Sequence, residues 1–336
     1  MKVLEGTNVN EVFPDAVLLT MQQGVLRPSR NGPVLEIPTP VASVYHRPWE
    51  RALFCPVRNA NPFFHFFEAL WILAGRKDVA TLKVFNSRIS DYSDNGVTFH
   101  AAYGHRLRYH FGIDQIELLI RELEEDPDSR RAVLQIWDSV SDLNTKGRDI
   151  PCNDTIFFKI LDGQLRMTVC NRSNDLIWGA YGANVVQFSI LQEYIAWKLG
   201  VEIGPYTQVS DSLHVYVENP QWEKLIQSLG NARLNPYFDL LHGKGLLFTG
   251  ENPATFDQEL AVFVYGITEK VSLLHTESRF LNFVALPLLR AWQYHKERNY
   301  THAQYEALSC QAEDWKLVAV NWLNNAEEKY RNGQTT

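Results

Sequence analysis

Gly112 to Asp138 read GIDQIELLIRELEEDPDSRRAVLQIWD, and the order of residue types in this stretch decides the fold class. Ile113, Ile116, Leu119, Ile120 and Leu123 recur at helical spacing, so Gly112 to Asp126 predicts an amphipathic helix that must stop before Pro127. Ala132 to Trp137, AVLQIW, then predicts a strand. A helix delivered through a short polar turn into a strand indicates mixed α and β structure.

Working outward, Thr155 to Leu161 and Gln164 to Val169 read as a hairpin across the turn-favouring Asp162-Gly163. Val185 to Leu199 predicts a long buried helix ending at Gly200. Pro62 to Gly75, PFFHFFEALWILAG, is too continuously apolar for a surface helix and holds one unexpected charge, Glu68. From about Phe256 the pattern turns helical, with Leu308, Trp315, Val318, Val320, Trp322 and Leu323 supplying apolar faces. The expected class is α+β with an extended helical C-terminal region, divided as 1–245 for a catalytic core and 246–336 for the extension.

Composition bounds the function. The 336 residues are 45% hydrophobic and 21% charged, an ordinary globular balance, and the formal charge of -7 opposes nonspecific nucleic-acid binding. Cys55, Cys152, Cys170 and Cys310 form no CxxC pair, which points to free thiols in a reducing compartment. The first residues lack a signal-peptide profile, and no apolar run reaches the roughly 18 residues of a membrane helix. A cytoplasmic protein with no membrane or nucleic-acid partner is expected.

Three clusters carry residue types suited to chemistry: Ser129-Arg130-Arg131, Pro151-Cys152-Asn153 and Asn171-Arg172-Ser173-Asn174-Asp175. Arginine forks and a hydroxyl suit phosphate oxygens, so these segments could hold a dianionic phosphate. The same cations would lower the pKa of Cys152, leaving it partly thiolate. Taken singly, each has a plain structural alternative: a buried thiol, a solvated turn, or, for Glu68, half of an ion pair. Gly179-Ala-Tyr-Gly182 lacks the lysine and the spacing of a phosphate loop.

Together with FEALWILAG around Glu68, AAYG at Tyr103, IPCN at Cys152, NRSND from Asn171 and SLHVY from Ser212, the chain resembles the thymidylate synthase family over most of its first 245 residues. The resemblance implies a large mixed β-sheet flanked by helices in an obligate homodimer, with Arg130 and Arg131 donated in trans. It implies Cys152 as the nucleophile at C6 of a pyrimidine nucleoside monophosphate, activating C5 toward a one-carbon unit from 5,10-methylenetetrahydrofolate. By the same resemblance Arg30, Arg130, Arg131, Arg172 and Ser173 hold the phosphate, His214 and Tyr216 the sugar 3′-hydroxyl, and Asn184 the pyrimidine edge. Asp175, with Ile89, Tyr92 and Gly179, would meet the folate. Tyr103 would assist removal of the C5 proton, and Glu68 would organise proton transfer. No metal is implied.

Departures refine the expectation. Ile89 stands where the family carries a folate-stacking tryptophan, Tyr92 where it carries a second, and Ser212 where it carries an aspartate. GAYGAN, Gly179 to Asn184, is one residue longer than the usual segment. The family's apolar C-terminal lid is replaced by polar Asn332 to Thr336. A less shielded one-carbon intermediate should meet water instead of hydride, which makes 5-hydroxymethylation of dUMP, or of dCMP or CMP, the expected reaction. Retention of an amide at Asn184 tilts the choice toward dUMP. Reductive methylation of dUMP is the alternative. A noncatalytic nucleotide-binding protein on this fold would have no need of Cys152, Tyr103 and Glu68 together, and an unrelated thiol enzyme pairing Cys152 with a histidine has no His in a recognisable partner motif and would leave the resemblance unexplained.

Overall fold

A computed structural model of the chain describes residues 1–228, 234–239, 245–269 and 276–333. Its strands are β1 (Lys2–Gly6), β2 (Val25–Arg27), β3 (Val34–Glu36), β4 (Val41–Tyr45), β5 (Val133–Gln135), β6 (Asn153–Leu161), β7 (Gln164–Asn171), β8 (Asn174–Asp175), β9 (Glu202–Ser210) and β10 (Leu213–Tyr216). The helices before the central hairpin are α1 (Val9–Gln23), α2 (Pro62–Leu73), α3 (Val79–Phe85), α4 (Tyr103–His105), α5 (Gln115–Glu125) and α6 (Ser139–Asp142). After it come α7 (Asn184–Leu199), α8 (Pro220–Gln227), α9 (Pro236–Asp239), α10 (Phe256–Glu269), α11 (Leu286–Lys296), α12 (Tyr300–Ser309) and α13 (Glu313–Arg331).

Six strands form one mixed sheet in the order β1-β4-β9-β7-β6-β5; β7 and β9 run parallel, while β6 pairs antiparallel with both β5 and β7. A second sheet, β2-β3-β10-β8, lies beside it. The hairpin forms as expected. Asp162 and Gly163 both adopt positive φ, 54° and 75°, the conformation a two-residue type I′ loop demands. Along β7, residues Leu165, Met167, Val169 and Asn171 point into the core while their neighbours do not, the period-two signature of a sheet with one packed face.

The helix read from Gly112 is three residues shorter at its start. Asp114 caps α5 by accepting from the Glu117 backbone N–H, so Ile113 lies before the first turn and stays exposed. β5 is confined to Val133–Gln135, because the Ile136 and Trp137 N–H groups both turn to the Asp154 carbonyl. Asn61 caps α2 through the Phe64 N–H, Pro62 supplies its first residue, and the turn beyond it uses Gly75 at φ +66°. A Cβ on Gly75 would come within 2.5 Å of the Tyr109 ring.

Buried side chains from the sheet, α2 and α7 and from helices α10 to α13 form one continuous apolar cluster. Trp315 of α13 meets Phe66 of α2 edge-on at 4.9 Å, and Trp292 of α11 packs 5.4 Å from Phe63 while its Nε1 donates to the Val84 carbonyl at 2.9 Å. Trp315, Val318 and Leu323 are buried as the sequence suggested, whereas Leu308 points to solvent. Gln334 to Thr336, the end of the polar terminus, lie outside the described residues. No described helix is long and apolar enough to cross a membrane.

Candidate active site

Pro151 and Cys152 precede β6, and Arg172 follows β7, so the hairpin brings them side by side. The Arg172 backbone N–H donates to the Cys152 carbonyl at 3.0 Å. Its Nε donates to the Pro151 carbonyl at 2.7 Å, its Nη2 to the Ile150 carbonyl at 3.2 Å, and the same Nη2 stands 4.0 Å from Cys152 Sγ. The guanidinium lies over Trp137 at 5.6 Å, which leaves its exposed edge available to an anion.

The sequence expectation of a lowered thiol pKa is corrected here. Burial pushes the Cys152 thiol up, against the attraction of Arg172 and Arg30, with Asp154 and Asp149 adding to the rise. Desolvation exceeds the field of the cations because the thiol sits beneath them, largely out of water. Tyr103 lies against Cys152, Asn153 and Glu68, stacked on Phe188 at 6.1 Å, and burial first, then the neighbouring thiol, raises its hydroxyl pKa.

Glu68 projects from α2 toward this group. Its residue is only half-buried, yet Oε2 is sealed from solvent with no hydrogen-bond partner among the described residues. Desolvation pushes the carboxyl up to about 7, opposed by a hydrogen bond from Gln187 on α7. A carboxyl poised near neutrality without an ion-pair partner is suited to holding or passing a proton. The ion-pair alternative raised by the sequence finds no partner cation among the described residues.

Arg30, on the exposed turn between β2 and β3, donates to the Gly147 and Arg148 carbonyls at 3.0 and 2.9 Å. It thereby ties its own loop to the segment leading into Cys152. That segment is anchored further back by Arg106, whose buried guanidinium meets both Asp142 oxygens at 2.7 Å. Ser173 is half-buried beside Arg172. Arg130 and Arg131 lie away from this cluster on the turn after α5. Arg131 pairs with Glu122 at 2.8 Å, while the exposed Arg130 has no ion-pair or hydrogen-bond partner among the described residues.

His214 and Tyr216 stand on β10, their rings edge-on at 5.5 Å. The parallel pairing of β10 with β8 sets His214 opposite Asp175. One Asp175 oxygen caps the turn at Trp178, while the other is buried without a partner among the described residues; desolvation raises the carboxyl against His214 and Arg58. Arg58 is fully buried, held to the Ile177 carbonyl at 2.7 Å, and covers the Trp178 ring at 4.7 Å. Asn184 opens α7 and donates its amide to Asn174 Oδ1 at 3.0 Å, and Gly179 lies beside that contact. Ile89 and Tyr92 occupy one short 3-10 turn; Ile89 packs against a minor apolar cluster and Tyr92 is exposed.

Reading the sequence alone passed over Gln187, Trp137 and Arg58. Gln187 follows Asn184 by three residues on α7, one helical turn, and that spacing is the signal that could have found it. The other two reach the site only through long-range folding.

A model of the thymidylate synthase family matches residues 58–240, a span containing Glu68, Tyr103, Cys152, Arg172 and Asn184. The chain belongs to the thymidylate synthase family. Within it, the chain is 43% identical over 335 residues to the deoxyuridylate hydroxymethyltransferase of Pseudomonas phage M6, covering 96% of this chain and 94% of that protein. The protein of the same name from Bacillus phage SP01 is 39% identical over 230 residues, 65% of this chain and 60% of that one. That of Delftia phage PhiW-14 is 31% identical over 180 residues, half of each. Mixed sheet, flanking helices and the Cys152 hairpin together make this a thymidylate synthase fold with added C-terminal helices.

Proposed function

We propose that this cytoplasmic enzyme adds a hydroxymethyl group to C5 of dUMP, with 5,10-methylenetetrahydrofolate as one-carbon donor and water as the source of the hydroxyl. The observation that carries the reading is the near full-length similarity to a phage deoxyuridylate hydroxymethyltransferase, joined to Ile89 at the place of the folate-stacking tryptophan. Reductive methylation needs a surface that holds the folate over the methylene while hydride is delivered, and an aliphatic side chain offers a poorer one than an indole. Water needs only access and a proton-handling group.

In this reading Cys152 attacks C6 as its proton leaves, and Arg172, Ser173 and Arg30 hold the phosphate so that the ring lies within reach of the thiol. Phosphate binding releases Arg30 from two carbonyls. His214 and Tyr216 take the sugar hydroxyl and Asn184 the pyrimidine edge, while Tyr103, its hydroxyl kept protonated by burial, assists removal of the C5 proton by hydrogen bonding. Glu68, with its free oxygen and a pKa near 7, positions and deprotonates the water. The folate supplies the one-carbon unit. One observation fits it: Asp175 Oδ2, buried without a partner among the described residues, suits pterin N–H donors, and in this proposal Ile89, Tyr92 and Gly179 also meet the folate.

We take residues 1–245 as the catalytic core and 246–336 as an extension packed upon it. The active unit in this proposal is a homodimer. Val133 and Phe157, paired across β5 and β6, are 40% and 45% exposed, an apolar face uncommon for a sheet that stays in water. Arg130, without a partner among the described residues, would serve the neighbour's phosphate; Arg131 would exchange Glu122 for it. Incubating the protein with dUMP and methylenetetrahydrofolate tests the reading. Tetrahydrofolate without dihydrofolate supports it, and stoichiometric dihydrofolate overturns it.

A further inference from the structure

Behind Asn184 lies a chain of buried amides. Asn184 Nδ2 donates to Asn174 Oδ1 at 3.0 Å, and Asn174 Nδ2 donates in turn to Ser210 Oγ at 3.0 Å. All three residues are at least nine-tenths buried, so none can exchange these partners for water. The pairing of strands assembles them: Asn174 sits on β8, Ser210 closes β9, and Asn184 begins α7 after the wide helical turn Leu176–Ala183. Gly179 leaves room for the contact, since a Cβ there would stand 2.8 Å from Asn174 Oδ1.

Resting on the reading of Asn184 as the group facing the base, we infer that Asn174 and Ser210 are specificity-determining positioning residues that set the direction of the Asn184 amide and so choose uracil over cytosine. An amide can face a pyrimidine in two ways. With Oδ1 toward N3 and an Nδ2 hydrogen toward the 4-substituent it matches uracil, which offers N3–H and the O4 acceptor. Reversed, it matches cytosine, which offers an N3 acceptor and a 4-amino donor. The two ways differ little in shape, so something outside Asn184 must decide.

The relay favours one direction, because all three partners would have to turn together to reverse it. Asn174 spends its Nδ2 on Ser210 and presents only Oδ1 to Asn184, so Asn184 must answer with Nδ2. One Nδ2 hydrogen is then committed to Asn174, the second remains for O4, and Oδ1 remains for N3–H. Turning Asn184 over would set two carbonyl oxygens against each other in a buried place, unless Asn174 turned with it and Ser210 became the donor. Specificity lies in the whole chain of three.

Binding of dUMP and dCMP is measured without folate on the full-length protein and on three variants, with folding verified by thermal melts. The wild type should bind dUMP at least about tenfold more tightly than dCMP. Asn174→Ala, which frees the Asn184 amide to turn, should bring the two affinities within about threefold, and Ser210→Ala should shift the ratio in the same direction. Asn174→Asp, which offers only acceptors, should keep the preference for dUMP. The inference is overturned if Asn174→Ala weakens both nucleotides equally with the ratio intact, or if the wild type prefers dCMP. Because binding is read without turnover, a wrong one-carbon product would refute the proposed reaction while leaving this ratio to stand or fall by itself.

Discussion

Arg172 Nη2 stands 4.0 Å from Cys152 Sγ, while the Arg172 Nε is fixed on the Pro151 carbonyl at 2.7 Å. One side chain thus holds the backbone that presents the thiol and faces the thiol itself. Burial nevertheless raises the Cys152 pKa in the free enzyme, so attack depends on what stabilises the thiolate once substrate is bound.

Alkylation of Cys152 by iodoacetamide should therefore be slow at pH 7 and accelerate as pH rises past the ordinary thiol range. Arg172→Ala should slow it further wherever the thiol is still mostly protonated, since the main cation lowering that pKa is gone. Rapid alkylation at neutral pH, unchanged by Arg172→Ala, would contradict this geometry. Cys152→Ser should lose at least about a thousandfold in turnover while binding dUMP nearly as well as the wild type.

The Glu68 carboxyl titrates near 7 in the folded chain against 4.5 for an ordinary glutamate. The folded state therefore binds that proton more tightly than the unfolded one. This contribution to stability is fully present below about 4.5 and is lost as pH rises to about 7, with a slope of at most about 1.4 kcal/mol per pH unit. Glu68→Gln should remove that slope from denaturation curves measured between pH 5 and 7. It should also remove a kinetic ionisation near 7 and lower kcat by about 100-fold or more. A wild-type pH profile without an ionisation near 7 would argue against the assignment.

If Arg130 and Arg131 serve the neighbouring subunit, two inactive proteins can repair each other. Cys152→Ala mixed with Arg130→Ala/Arg131→Ala should regain up to about a quarter of wild-type activity, because randomly formed heterodimers hold one complete site in two. Subunit exchange without recovered activity would place the arginines in their own subunit's site.

Trp315→Ala should cost about 3 to 5 kcal/mol of stability, since it empties a fully buried indole site against Phe66 of the helix that carries Glu68. Urea denaturation measures it directly. A loss below about 1 kcal/mol would mean that α13 does not support α2.

Much of this was legible before any coordinate. Periodicity located α5 and α7, Asp162-Gly163 located the hairpin, and the lone charge in PFFHFFEALWILAG singled out Glu68, because local chemistry dictates each. Ile113 was misplaced by a cap: Asp114 starts the helix one residue beyond it, and capping competes with periodicity on equal terms there. The thiol pKa was misread because cation spacing is visible in sequence and desolvation is not. Asn174 stood in a quoted motif, yet its role depends on Ser210 arriving through strand pairing across the sheets, a long-range event that no local pattern encodes.

In the proposed reaction water, not hydride, completes the one-carbon transfer. The direct measurement is the mass of the nucleotide formed from dUMP and methylenetetrahydrofolate in water enriched with the heavy oxygen isotope. A 5-hydroxymethyl product carrying one heavy oxygen in its new group, with tetrahydrofolate released, is expected. A 5-methyl product with no oxygen from solvent, accompanied by dihydrofolate, would contradict it.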